Sequence, residues 1–109
     1  MSKQTISIIA TLPSKPEKKE EMRKRLFQVA DIMAREADFV HAWIHEDIND
    51  PDTFVVYETW NCSREYFLAN HLTKPYRTEY EAVLSQMLKR ERRIDFLDGI
   101  RAYPKRVEA

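Results

Sequence analysis

Two successive segments of the chain, Phe39 to Glu46 and Phe54 to Trp60, read as strands that are apolar on both faces. In the first, Phe39, His41, Trp43 and His45 alternate with Val40, Ala42 and Ile44; in the second, Phe54 and Val56 oppose Val55 and Tyr57. Side chains alternate across a strand, so a sheet made from such segments has to be covered twice. The chain's own helices can cover one face only. The other is expected to meet a second copy of the chain, because an exposed apolar patch of that size is rare on a monomer. The turn residues Asn49-Asp50-Pro51-Asp52 between the two segments make them a hairpin.

The flanking sequence supplies the rest of the layers. Thr5 to Leu12 alternates Ile6, Ile8, Ala10 and Leu12 against Thr5, Ser7, Ile9 and Thr11, the period of a strand, and Pro13 and Pro16 stop it. Ser14-x-x-Glu17 has the spacing of a capping box, with Pro16 in the first turn. Met22, Leu26, Val29, Ala30 and Met33 then form one apolar helical stripe, the methionines as core filler, with lysines and glutamates opposite. A short helix is expected from Ser63 to Asn70. A longer one follows, capped by Thr73 and carrying Tyr76, Tyr80, Val83, Leu84, Met87 and Leu88 at helical spacing. After a charged break, Arg90 to Arg93, a last strand is expected over Ile94 to Tyr103. The order β-α-β-β-α-β predicts one domain, 1–109, of the α+β, ferredoxin-like class: a four-stranded sheet with helices on one face.

Composition removes several function classes. Eighteen Lys and Arg balance eighteen Asp and Glu, so nothing points to nucleic acid. The run Lys89, Arg90, Arg92 and Arg93 is read as a helix-end charge cluster on a solvated face. The single glycine, Gly99, cannot build a phosphate-cradling or dinucleotide-binding loop, which needs several at fixed spacing. The one cysteine, Cys62, excludes an internal disulfide, fits a reducing cytoplasm and reads as a packing residue beside a helix start. No basic leader precedes an apolar run at the N-terminus, and no apolar run is long enough to cross a membrane, so neither a signal peptide nor a membrane partner is expected.

The residues that carry chemistry lie between Asp50 and His71. Glu58 sits near the end of an apolar strand, where a carboxylate is costly to bury unless something satisfies it. Trp60, two residues on, shares its face. The short helix then delivers His71. A metal site is not expected: His41 and His45 are roughly 13 Å apart on a strand and cannot share an ion, so they read as interface or pocket-wall residues. No Gly-x-Ser-x-Gly elbow is present for a hydrolase. Each residue also has a plain structural reading: Trp60 as a core aromatic, Glu58 as a helix-start or interface charge, His71 as a satisfied helix-end histidine.

Glu58, Trp60, the aromatic-rich short helix, and His71 followed by Pro75 and Tyr76 resemble the antibiotic biosynthesis monooxygenase (ABM) family, over about Ile6 to Ile100. Two positions differ: the family's Glu-Pro-Gly before the second strand is Glu36-Ala37-Asp38, and the histidine of its Pro-His-Phe step is Tyr76. The resemblance implies a dimeric α+β barrel with a pocket between each sheet and its helices. It implies oxidation of a quinol or phenolic small molecule by O2 without a cofactor. His71 would be base or hydrogen-bond partner to the substrate oxygen, Glu58 would orient His71, and Trp60 would stack on the ring. Tyr57, Phe67, Tyr76 and Tyr80 are candidates for the pocket wall. Alternatives on the same fold are haem degradation, with His71 as axial ligand; isomerisation or degradation of a small metabolite; and a non-enzymatic ligand-binding dimer.

Overall fold

The computed structural model describes residues 4–105; the two ends of the expected domain, 1–3 and 106–109, lie outside them. The elements are β1 (Ile6–Pro13), α1 (Lys19–Met33) after a 3-10 turn (Pro16–Lys18), β2 (Phe39–Asp47) and β3 (Asp50–Trp60). Then come α2 (Arg64–Tyr66), running on as a π turn (Phe67–His71), a 3-10 turn (Pro75–Arg77), α3 (Thr78–Met87) and β4 (Arg93–Leu97). The four strands form one sheet in the order β2-β3-β1-β4, with every neighbouring pair antiparallel. This is the α+β, ferredoxin-like arrangement expected from the element order.

The period-2 pattern sorts the faces. Ile6, Ile8 and Leu12 of β1 and Phe54, Val56, Glu58 and Trp60 of β3 are buried on the helical side. Met22, Leu26, Val29 and Met33 of α1 and Tyr80, Leu84 and Met87 of α3 close over them. The rows across the sheet are in register: Ala42, Glu58, Ile8 and Phe96 lie side by side, as do Ile44, Val56, Ala10 and Ile94.

Several boundaries differ from expectation. The hairpin turn is tighter than Asn49 to Asp52: Asp47 pairs with Asp50, leaving Ile48 and Asn49 at the tip, where the Asp47 carboxylate accepts from the Asn49 N–H. A second register shift, at Val40, puts Phe39 opposite Trp60 and His41 opposite Thr59. A bulge adds one residue and changes parity, so Phe39 joins the helical face and only His41, Trp43 and His45 share the outer one. The capping box is absent. Ser14 instead donates to the Asp52 carbonyl, and Lys15 precedes the 3-10 turn without a side-chain cap. Thr73 does not cap α3 either; its hydroxyl donates back to the Ala69 carbonyl. Finally, β4 stops at Leu97, not Tyr103. Leu97 pairs with Ser7, and among the described residues the ladder with β1 forms no pair beyond it. Among the described residues none has a positive φ, Gly99 included, and a Cβ added at Gly99 would meet nothing within 4 Å.

Candidate active site

β3 brings Glu58 into the core with 7% of its surface exposed. Strand alternation puts Trp60 beside it, and the indole Nε1–H donates to Glu58 Oε1 at 3.0 Å. Oε2 takes no hydrogen bond from another described residue. Glu58 also helps wall a narrow cavity of about 40 Å³ between the sheet and α1, room for about one water. Its other walls are apolar (Ile8, Val56, Val29, Met33 and Phe67 among them) except for Arg77 and Arg92. Alanines at 10 and 30 contribute to the void by leaving their positions underfilled. Burial holds the Glu58 carboxyl above its ordinary range, while the Trp60 hydrogen bond and the Arg77 and Arg92 charges oppose that rise without cancelling it.

Trp60 itself is fully buried and is the centre of an aromatic cluster. Phe39 and Phe67 meet it edge-on at ring-centroid distances of 5.3 and 5.4 Å, and His71 lies against it at 4.5 Å. The π turn delivers His71: the Leu72 N–H bonds back five residues to the Phe67 carbonyl, and such a widened turn is a recurrent feature of functional sites. Ser63 starts this segment by accepting from the Tyr66 N–H at 3.0 Å. His71 does not meet Glu58. Its Nε2 lies 3.0 Å from Asp38 Oδ2, which assigns the proton to Nε2 and leaves the buried Nδ1 without a partner.

The structure therefore joins Glu58, Trp60, His71 and Asp38 in a chain of contacts, but with Asp38 rather than Glu58 orienting the imidazole. Only Glu58 of the three expected catalytic residues reaches the cavity; Trp60 is too deeply packed to stack on a bound ring. Of the expected pocket residues, Phe67 is in the cavity wall. Tyr57 is on the outer face, tilted against His41 at 5.1 Å. Tyr76 and Tyr80 border a separate cleft between α1 and α3, with Arg25 and Glu79; burial pushes the Tyr80 phenol up to about 12. Cys62 is buried beside the start of α2, and desolvation raises its thiol.

Sequence reasoning passed over Asp38 and the arginines. Arg77 is buried, donates from Nη2 to Glu81 Oε2 at 3.0 Å and from Nη1 to the Met33 sulfur at 3.4 Å, and leaves its Nε without a partner. Arg92, read as part of a solvated basic run, turns in and donates to the same Glu81 oxygen at 2.9 Å. Glu81 is held below the usual carboxylate range by these two guanidiniums, which outweigh its burial. Only the charge of the run was visible in the sequence; its direction depends on where β4 begins.

A four-stranded antiparallel sheet in β-α-β-β-α-β order, backed by helices on one face, defines the ferredoxin-like α+β class. The sequence profile of the antibiotic biosynthesis monooxygenase family matches residues 5–83, and the chain belongs to that family. A search of curated proteins finds no match. Among solved structures, a protein of Mycobacterium tuberculosis is similar at 19% identity and a TM-score of 0.81, over 92% of this chain and 99% of that one. A candidate antibiotic biosynthesis monooxygenase of Nitrosomonas europaea gives 18% identity and 0.80, over 92% and 94%. A conserved protein of Methanosarcina mazei gives 21% and 0.78, over 87% and 92%. At such identities the likeness is one of fold.

Proposed function

We propose that the protein is a cofactor-independent monooxygenase that oxidises a quinol or related phenol with O2. The observation that supports this most is Glu58: a buried carboxyl held above its ordinary range in the wall of a cavity whose only other charged wall residues are Arg77 and Arg92. An electron-rich phenolate reduces O2 by itself, so the protein's task is to remove the phenol proton in a dry site. Glu58 Oε2 takes that proton, in place of the His71 base expected from sequence. Trp60 keeps Oε1 occupied and so leaves Oε2 for the substrate, and His71, held by Asp38, fixes Trp60. The reaction balances as quinol plus O2 giving hydroxyquinone plus water, both oxygen atoms being reduced by the four electrons the ring supplies. The cavity is narrower than a ring, so entry requires part of its wall to move.

The outer sheet face would join two copies into a homodimer. Its β2–β3 part is open and rich in aromatic rings: Trp43 is 62% exposed and Tyr57 39%. No described helix is long and apolar enough to cross a membrane, and the lone buried thiol fits a reducing, cytoplasmic setting.

Oxygen uptake on a panel of hydroquinones tests the reading. Glu58→Gln is expected to lower turnover by about 10²–10⁴-fold, the usual contribution of a positioned base. His71→Ala is expected to lower it less, through a loosened Trp60. Uptake by Glu58→Gln at the wild-type rate, in a protein that still folds, would remove the proposed base and the mechanism with it.

A further inference from the structure

Behind Glu58 stand two guanidiniums and a single shared carboxylate. Arg77 comes from the 3-10 turn, Arg92 from the approach to β4 and Glu81 from α3, and both arginines bond the same Glu81 oxygen. Arg77 is underused for a buried guanidinium. One nitrogen meets Glu81, one meets a thioether, which is a weak acceptor, and Nε meets nothing. Both arginines line the cavity and act on Glu58. Arg92 also borders a surface cleft beside α3, with Leu84, Leu88 and Lys89, so this cluster stands between the cavity and solvent.

The charges can be counted. Arg77 and Arg92 contribute two positive charges and Glu81 one negative. Tyr76 and Tyr80, which also feel the Glu58 charge, are neutral phenols whose ionisation burial opposes, and His71, on the far side of Trp60, is paired with Asp38. What α1 contributes to the cavity wall is apolar, and so are Ala42 and Ile8, which pair with Glu58 from β2 and β1. The cluster therefore carries one uncompensated positive charge whenever Glu58 is protonated, and none when it is ionised. Uncompensated charge in such a site is costly.

Resting on the phenol-oxidising reading, we propose that the cavity accommodates one negative charge at a time, on Glu58 when empty and on the ligand when occupied, and that Arg77 binds the ligand's anionic oxygen. The substrate class is thereby a phenol that becomes a monoanion in the site. A neutral phenol hands its proton to Glu58 and leaves the net charge unchanged. A ligand that arrives already anionic must bring a proton with it for Glu58.

Benzoate, which O2 does not attack and which stays a monoanion between about pH 6 and 9, separates the two ideas by calorimetric titration. Wild-type affinity should fall by up to about tenfold per pH unit as Glu58 ionises, because each bound anion then requires one proton. Glu58→Gln should bind benzoate with little pH dependence and at least about tenfold tighter than wild type at the upper end. Arg77→Gln, which leaves Glu81 paired with Arg92, should weaken binding at least about tenfold at pH 6, and Arg77→Lys should recover part of it. If Glu58→Gln follows the wild-type pH dependence, or if benzoate binds none of these proteins, the proposal is overturned; the Glu58→Gln comparison decides even if Arg77→Gln fails to fold. The expected pattern without oxygen uptake on hydroquinones would overturn the catalytic reading alone, and uptake without the pattern would overturn this one alone.

Discussion

At Glu58, burial and hydrogen bonding pull in opposite directions, and burial wins. A carboxyl raised in the folded state contributes stability below its unfolded pKa and loses it as pH rises through the folded pKa. Catalysis as proposed needs the ionised form, so activity and stability favour opposite ends of one titration. Trp60 moderates the conflict by donating to Oε1. Trp60→Phe keeps an aromatic ring in the cluster but removes that donor, so the acid limb of the kcat/KM profile should move to higher pH, as a pH–rate series on hydroquinones would show. Glu58, Trp60 and His71 stood out in the sequence because a carboxylate at an inward strand position is rare. The Asp38 partner of His71 did not, since the two are 33 residues apart and meet only through tertiary packing. Tyr57 was legible and misjudged: it adjoins Glu58 on a strand, and alternation alone places it on the opposite face.

At the scale of elements, the Ser63 cap signal succeeded, Thr73 lost its hydroxyl to a carbonyl one turn back, and the remaining signals failed where tertiary pairing decides. Ser63 has the position and chemistry of a cap and acts as one. Ser63→Ala should cost about 1 kcal/mol in denaturant unfolding and should loosen the π turn that carries His71. Ser14 has equally good cap spacing, but β1 continues far enough to hand its hydroxyl to the Asp52 carbonyl. Apolar residues after Leu97 looked like more strand, yet the ladder with β1 ends at the Ser7–Leu97 pair. The bulge at Val40 carries no glycine or proline to announce it, and it altered which side of the sheet Phe39 serves.

For the whole molecule, element order was enough to recover the sheet and its single helical layer, because β-α-β-β-α-β leaves few ways to pack. The place of the cavity, between sheet and helices, came only with the family resemblance; its small size was not legible, being the difference between side-chain volumes on α1 and on the sheet. The open outer face leads to a prediction at this scale. Trp43→Glu, at an exposed position on the edge strand of that face, should leave the fold intact and give a monomer by analytical ultracentrifugation, where the wild-type chain is expected to sediment as a dimer.

The backbone between residues 4 and 105 never enters the left-handed region, and the glycine at 99 does nothing there that alanine could not. Every turn is thus open to any L-residue on conformational grounds. What constrains substitution in these loops is only what the neighbouring side chains tolerate, a weak filter at exposed positions. A fold with so few backbone obligations lets lineages drift far apart in sequence while keeping the same chain path, and leaves its cavity free to be recut for different small molecules.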